Sequence, residues 1–331
     1  MPLINHCNGG GGTPQLCGQV ENFKVVPGTV ALTAALSWTA PSPDEDNSFV
    51  GARIVRKTGS APTGINDGTV VYEGTALTYT DTGLTEGTTY YYRAFAYNAK
   101  KRYQTEYRVV SQTAITLTSN LAGNTWEQII EACQSGSVPD TWVAGDSKAM
   151  TIDGVNYQFD IVGKNHDTYT AGGIAPLTFG LHDCYGTEYP MNSSDSNKTG
   201  WDGSKMRTET LTAILAKMPV NIQNGIRAVN KLTATSGTSS AIKTASDKLF
   251  TFSEMEVYGS ATYSHSGEGK QYDYYKAGNS KVKKVGSTAS WWWLRSPSTN
   301  ISGRFCAVNA AGSVTNSNAS NSNGVCFGFC F

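Results

Sequence analysis

From Ser296 to Phe331 the chain carries one charged side chain, Arg304. Average usage would place about nine there. Ser, Asn, Gly, Ala and Thr dominate instead, and apolar residues recur at spaced points: Phe305-Cys306, Val308, Val314, Val325, Phe329 and Phe331. The pattern predicts strands held by the apolar residues, with small polar side chains between them pointing outward. Just before it lies the aromatic block Trp291-Trp292-Trp293-Leu294-Arg295-Ser296-Pro297. Neighbouring side chains on a strand face opposite ways, so the three tryptophans cannot all share one face. At least one is expected in the core and one to the side.

The remaining composition narrows the function. A chain of 331 residues is about the length of two domains. The formal net charge is zero, and charged residues make up 16% against roughly 25% in ordinary soluble domains. No basic field exists to attract nucleic acid or a membrane surface, so neither is an expected partner. No stretch reaches the ~20 apolar residues of a membrane span. Met1 to Gly12 lacks a basic segment followed by an apolar one, so no secretory signal is expected. The chain is then made inside a cell, and stays there or leaves in an assembled particle. Seven cysteines form no disulfide-scaffold spacing. Cys326 and Cys330 have no second ligand pair nearby, and read as small buried thiols rather than a zinc site. No metal or other cofactor is expected.

Along the chain, Met1 to Leu16 is a Gly-rich lead, read either as a flexible tail or as an attachment segment that orders on a larger assembly. From Cys17 to Leu117 short strands alternate with turn residues. Leu36 and Trp38 face inward, Arg53 to Lys57 and Thr69 to Glu73 are strands, and Tyr90, Tyr92, Ala94, Ala96 and Asn98 alternate at period two. Thr118 to Gly123 reads as a linker. Beyond it, Thr125 and Gln128 are spaced as a capping box, opening a helix whose stripe is Trp126, Ile129, Ile130 and Cys133 and which stops at Gly136. Asp153-Gly154 between two apolar alternating runs predicts a hairpin. A second helix is expected from Lys205 to Lys217, burying Leu211, Ile214, Leu215 and Met218 and ending at Pro219.

Other chemistry is poorly supported. His166-Asp167 and His182-Asp183 repeat a His-Asp pair, but His6 and His265 do not complete a phosphohydrolase set. The chain has no nucleophile elbow, phosphate loop or two-His zinc helix. It also lacks the Glu-Pro-Asn, Gln-Pro-Asp and Trp-Asn-Asp triplets of calcium-dependent sugar binding.

Two resemblances carry the fold class. Trp38, with Leu84, Gly87, Thr88 and Tyr90, is similar to the core tryptophan and tyrosine corner of fibronectin type III domains. Trp292-Trp293-Leu294-Arg295-Ser296-Pro297, Phe305-Cys306-x-Val308-Asn309, Gly312, Ala319-Ser320, Gly324-Val325 and Gly328-Phe329-Cys330 resemble the end of a domain found in gut-bacterial phage genomes. In that family the end is rewritten by diversity-generating retroelements. Gly163 to Asp167, Met191-Asn192, Gly200 to Arg207, Phe252 to Gly259 and Glu268 to Tyr272 agree with it. The resemblance covers Asn124 to Phe331. It implies an all-β fibronectin-type-III-like sandwich followed by an α+β C-type-lectin-like domain, with a diversified strip at about 298–327. Adenine-directed rewriting of an AAC Asn codon never yields Lys, Glu, Gln, Met or Trp, and none of these occurs after Pro297.

The implied function is non-enzymatic receptor binding by a phage tail or fibre protein in the virion, exposed to the extracellular medium. Its partner is a host cell-surface protein or glycan, and other tail proteins engage the N-terminal segment. Homo-oligomerisation stays open. A bacterial surface adhesin is the alternative, with an oxidase similar to the formylglycine-generating enzyme behind it. The implied ligand-binding residues are Thr299, Asn300, Ile301, Ser302, Arg304, Ala307, Asn309, Thr315, Asn316, Ser317, Asn318, Ser320, Ser322, Cys326 and Phe327. The family often has Ala-Pro or Arg-Pro where Cys326-Phe327 stands, so these two read as diversified positions, which leaves an exposed thiol open beside the buried-thiol reading. Arg304 is the foremost contact residue, as the single charge on an otherwise neutral face.

Overall fold

A computed structural model of the chain describes residues 17–28, 30, 32–41, 48–85, 88–105, 112–114 and 117–331. The Gly-rich lead and Gly87 lie outside them. The chain divides into two compact units, 1–118 and 119–331.

The first unit is a two-sheet antiparallel β-sandwich. One sheet orders β1 (Glu21–Pro27), β2 (Ala34–Thr39) and β5 (Thr78–Asp81). The other orders β4 (Thr69–Gly74), β3 (Phe49–Thr58), β6 (Tyr90–Asn98) and β7 (Gln112–Ala114). Trp38 is buried between them against Phe23 and Tyr72. The Tyr90 hydroxyl accepts a hydrogen bond from the Thr85 amide at 3.0 Å, tying the turn before β6 to that strand. The period-two reading of this strand is too simple. Tyr92 to Tyr97 are all buried: Tyr92, Ala94 and Ala96 face the core, while on the other face Arg93 lies over Phe95 and donates to the Pro62 carbonyl and Tyr97 packs on Tyr103.

The second unit is strand-rich with five short helices. The segment read as a linker belongs to its core: 121–123 form a 3-10 turn, with Leu121 and Asn124 buried. Helix α1 (Trp126–Ser135) has the expected Thr125–Gln128 capping box and ends at Gly136, in the left-handed region at φ 70°. Strands β8 (Ser147–Ile152) and β9 (Val155–Lys164) join through Asp153-Gly154, both at positive φ as a tight hairpin turn needs. After β10 (Leu177–Leu181) and β11 (Tyr189–Pro190), a π-helical turn over 206–210 leads into α2 (Leu211–Lys217). Leu211, Ile214 and Met218 are buried there as expected, while Leu215 is half-buried. Pro219 does more than stop this helix. It caps the start of α3 (Val220–Gly225), a position where a missing amide proton costs nothing.

Next come the hairpin β12 (Val229–Ser236) and β13 (Ser239–Asp247), β14 (Phe250–Thr251), α4 (Glu254–Tyr258), α5 (Asp273–Lys276) and the small hairpin β15 (Lys283–Val285) and β16 (Thr288–Ser290). The chain finishes with β17 (Trp292–Pro297), β18 (Arg304–Val308), β19 (Val314–Asn318), β20 (Ser322–Asn323) and β21 (Phe327–Cys330). Strand β21 is inserted between β14 and β10 in the five-stranded sheet β14-β21-β10-β9-β8. Its Phe329 packs with Trp126, Phe159, Phe179 and Phe331 at ring separations of 5.2–6.4 Å. Strands β17, β18 and β19 form a separate antiparallel sheet with β18 in the middle.

Beneath this lies a buried ionic network. Lys231 Nζ is 2.7 Å from Asp167 and 2.6 Å from Glu256, and donates to the Tyr272 hydroxyl at 2.9 Å. Arg295 grips Glu256 with two guanidinium nitrogens, at 2.5 and 2.8 Å. All four charged side chains are buried. Charges in such a place persist only when paired and hydrogen-bonded on this scale.

Candidate ligand-binding site

Trp292 and Trp293 are neighbours on β17 and so face opposite ways, yet that strand is buried along its whole length; Trp291 lies just before it. Trp292 and Trp293 are fully buried, and their indole N–H groups donate to Lys281 and Tyr189 carbonyls. Trp291 is 39% exposed. The anchors Phe305, Val308, Val325 and Phe329 are buried, and Val314 is half-buried.

Three of the proposed contact residues are not at the surface. Ala307, Cys326 and Phe327 are fully buried. Ala307 lies on β18, which has a strand on each side and is buried throughout after half-buried Arg304. Phe327 packs on Phe159 and Tyr185 in the core sheet. The Cys326 thiol is enclosed, donates to the Leu181 carbonyl at 3.3 Å, and is pushed up by burial to about 11. The expectation that Cys326 and Phe327 are contact positions is therefore corrected, and the thiol is a buried one: β21 and the residue before it are inside the fold, not on its face. Ser317 is also nearly covered, its hydroxyl accepting from Asn321.

The outward positions come from the edge strand β19 and from the loop between β17 and β18. Asn300, Ile301, Arg304, Thr315, Asn316, Ser317 and Asn318 line one open pocket of about 580 Å³. Trp291, Tyr263 and Asn321 complete its wall. Residue-by-residue reading passed over these three. The exposed member of the tryptophan triplet was the available signal for Trp291. Nothing in the local pattern marks Tyr263. Asn309 sits apart, at the far end of the β18–β19 hairpin, where its side chain accepts from the amides of Ala311 and Ser313 to close the turn. Ser322 is exposed on β20, paired with Pro190, and Ser302 is exposed on the loop.

Arg304 is not an isolated charge. Its Nε donates to Asn318 at 2.8 Å and one terminal nitrogen donates to Asn316 at 3.0 Å. Asn318 in turn donates to Asp195 at 3.0 Å, and Ser320 donates to the same carboxylate through amide and hydroxyl. The Ser320 hydrogen bonds, with a smaller contribution from nearby Arg304, hold the Asp195 carboxyl below its ordinary value. The chain folding back from residue 195 thus supplies a counter-charge, and the expectation of a face with a single charge does not hold in three dimensions.

The loop's position is set from below. Asn197 is buried, and its carboxamide nitrogen lies 2.9, 3.2 and 2.8 Å from the carbonyls of Ser298, Ile301 and Arg304. Its amide donates to the Ser302 carbonyl at 2.7 Å. All four acceptors are main-chain atoms, so the loop is held whatever its side chains are. Gly237 passes so close that a Cβ would collide with the Ser298 carbonyl and with Asn197. Above, the Thr299 amide donates to the Tyr263 carbonyl at 2.7 Å, and the Tyr263 amide donates to buried Glu254 at 3.0 Å. The arrangement is a fixed, concave, polar surface with an aromatic edge.

What the fold and this site define is a two-unit chain, a β-sandwich followed by a strand-rich unit bearing an open pocket. Residues 177–330 match the family model described as "Domain of unknown function (DUF6273)". Among solved structures, the chain is similar to the fibronectin type-III domain of human fibronectin type III domain containing protein 3. The identity is 19% over 35% of this chain and 100% of that one, with a TM-score of 0.26. No curated protein sequence matches.

Proposed function

We propose that the chain is a non-enzymatic receptor-binding protein of a phage tail or fibre. In this reading the second unit is C-type-lectin-like and its diversified surface binds a structure on the host cell. The first unit is a fibronectin-type-III-like spacer, and the N-terminal segment joins other tail proteins. One observation carries the reading. Residues that would be rewritten, at 300–301 and 315–318, converge on one open pocket, while Phe305, Cys306, Ala307 and Val308 between them are buried. A surface with its packing elsewhere tolerates substitution, since exposed changes usually stay within about 0.5 kcal/mol. Carboxamides and small hydroxyls also give adaptable hydrogen bonding, as in antibody loops.

The test is binding of the labelled full chain to a panel of cultured gut bacteria. Asn300, Ile301, Ser302, Thr315 and Asn321 are replaced together by Ala. The expected result is a changed or abolished set of bound strains with the melting temperature nearly unchanged. An identical set of bound strains would move the site away from this pocket and refute the reading.

A further inference from the structure

We infer that the pocket takes an uncharged sugar ring, seated by its C–H face on Trp291 and held by the surrounding carboxamides. The inference rests on the receptor-binding reading and names the chemistry of what is bound. Size comes first. The cavity of about 580 Å³ lies inside the ~300–1,000 Å³ range of small-ligand sites. A polypeptide partner would cover about 800 Å² on this side, built around an apolar, desolvated core. The large apolar side chains offered here are Trp291 and Ile301, 39% and 42% exposed.

Charge comes second. Arg304 spends two of its nitrogens on Asn316 and Asn318, and Asp195 follows immediately behind Asn318 and Ser320. One positive and one negative group sit within a single hydrogen-bonded chain. Arg304 is the charged side chain that lines the pocket, and it is tied through Asn318 to Asp195, so an anionic ligand would have to draw it out of that chain and a cationic one would be repelled by it. A neutral ligand meets neither penalty.

Third is the pattern of donors and acceptors. Each Asn carboxamide presents N–H donors and a carbonyl acceptor. Sugar hydroxyls are likewise both donors and acceptors, so adjacent hydroxyls match one carboxamide. Trp291 supplies the complementary apolar plane, whose electron-rich face attracts partly positive C–H bonds. Tyr263, also in the pocket wall, is fixed through its own amide and carbonyl by Glu254 and Thr299. A surface fixed before binding loses less on ordering a ligand.

The experiment uses the full chain on immobilised oligosaccharides ending in glucose, galactose, mannose, fucose or N-acetylhexosamines, with sialylated and sulfated counterparts alongside. The expected result is binding to at least one neutral member, competed by the methyl glycoside of its terminal sugar. Trp291→Ala should weaken it by about tenfold or more, as for a hot-spot aromatic, with the melting temperature unchanged, and Trp291→Phe should retain part of it. Binding to acidic members alone, or to no neutral member, overturns the inference. A second arm separates this failure from failure of the reading beneath it. Cell binding that survives periodate, is lost after protease treatment and still depends on the strip indicates a polypeptide receptor, which leaves the receptor-binding reading intact. Neutral-glycan binding that ignores both Trp291→Ala and replacement of the strip overturns both.

Discussion

Lys231 shows what a single buried residue does in the second unit. It is 1% exposed and pairs with two carboxylates, Asp167 and Glu256. Burial pushes the Asp167 carboxyl up, but Lys231 more than offsets this and holds it at about 2. Glu256 is likewise lowered, its burial outweighed by Arg295 and Lys231. Carboxylates depressed in this way stabilise the fold above their unfolded pKa, near 4, and the contribution fades as pH falls toward the folded value. The unit should therefore lose stability as pH drops from about 4 to about 2. Lys231→Met leaves a buried carboxylate without its cation and should cost about 3–5 kcal/mol at neutral pH. It should also reverse the slope, since protonating Asp167 then relieves the burial penalty. Melting temperatures of both proteins from about pH 2 to about pH 7 check the sign, and parallel curves would refute the pairing. The tryptophan triplet gives a second comparison. Trp292→Ala and Trp293→Ala should each cost about 3–5 kcal/mol, whereas exposed Trp291→Ala should barely move the melting temperature.

At the scale of elements, β18 and β19 show where alternation fails. An apolar/polar alternation assumes a strand with one wet face. On β19, an edge strand, the alternation is blurred: Val314, Thr315, Asn316 and Asn318 are half-buried and the covered residue is Ser317. It does not suit β18 either, where Phe305, Cys306, Ala307 and Val308 are all buried. The loop before β18 is governed by Asn197, more than a hundred residues earlier in the chain. Asn197→Ala removes the donor facing three carbonyls and should cost about 1–3 kcal/mol. Amide exchange should rise at Ser298 and Arg304, whose amides donate to the Arg304 and Ile301 carbonyls that Asn197 also holds, while the β9–β10 ladder stays protected. Unchanged exchange at the loop would show that Asn197 does not hold it. Helix α1 begins and ends locally, through its Thr125–Gln128 cap and its Gly136 stop, but its face is set from afar. Trp126 packs on Phe159, Phe179, Phe329 and Phe331, and Ile129, Ala132 and Cys133 are buried while Trp126 and Ile130 of the expected stripe are half-buried.

For the whole molecule, the division after Thr118 leads to a direct expectation. A fragment of residues 119–331 should be soluble and unfold in one cooperative transition, because Leu121 and Asn124 belong to its interior. A fragment begun at Trp126 should be less stable, having lost the buried 121–124 segment and the Thr125 cap; calorimetry of the two separates these cases. The Tyr90 corner was expected from the fibronectin type III resemblance, while features fixed by short-range geometry were legible from the residues alone: the inward Trp38, the Asp153-Gly154 hairpin and the Thr125–Gln128 capping box. Each depends on turn chemistry or strand and helix periodicity, which act over a few residues. The sequence also determined that the last stretch has spaced apolar anchors in a nearly uncharged background. Only the tertiary structure decided which of its residues are outside. Phe327 is buried because it packs on Phe159 and Tyr185, and Ala307 is buried with the rest of β18 after Arg304. Arg304 meets Asn316 and Asn318, which lead on to Asp195, and Tyr263 reaches the pocket wall, because chain segments distant in sequence return there. Exposure depends on what packs across a strand and beside it, and those neighbours are chosen by long-range pairing that no local pattern records.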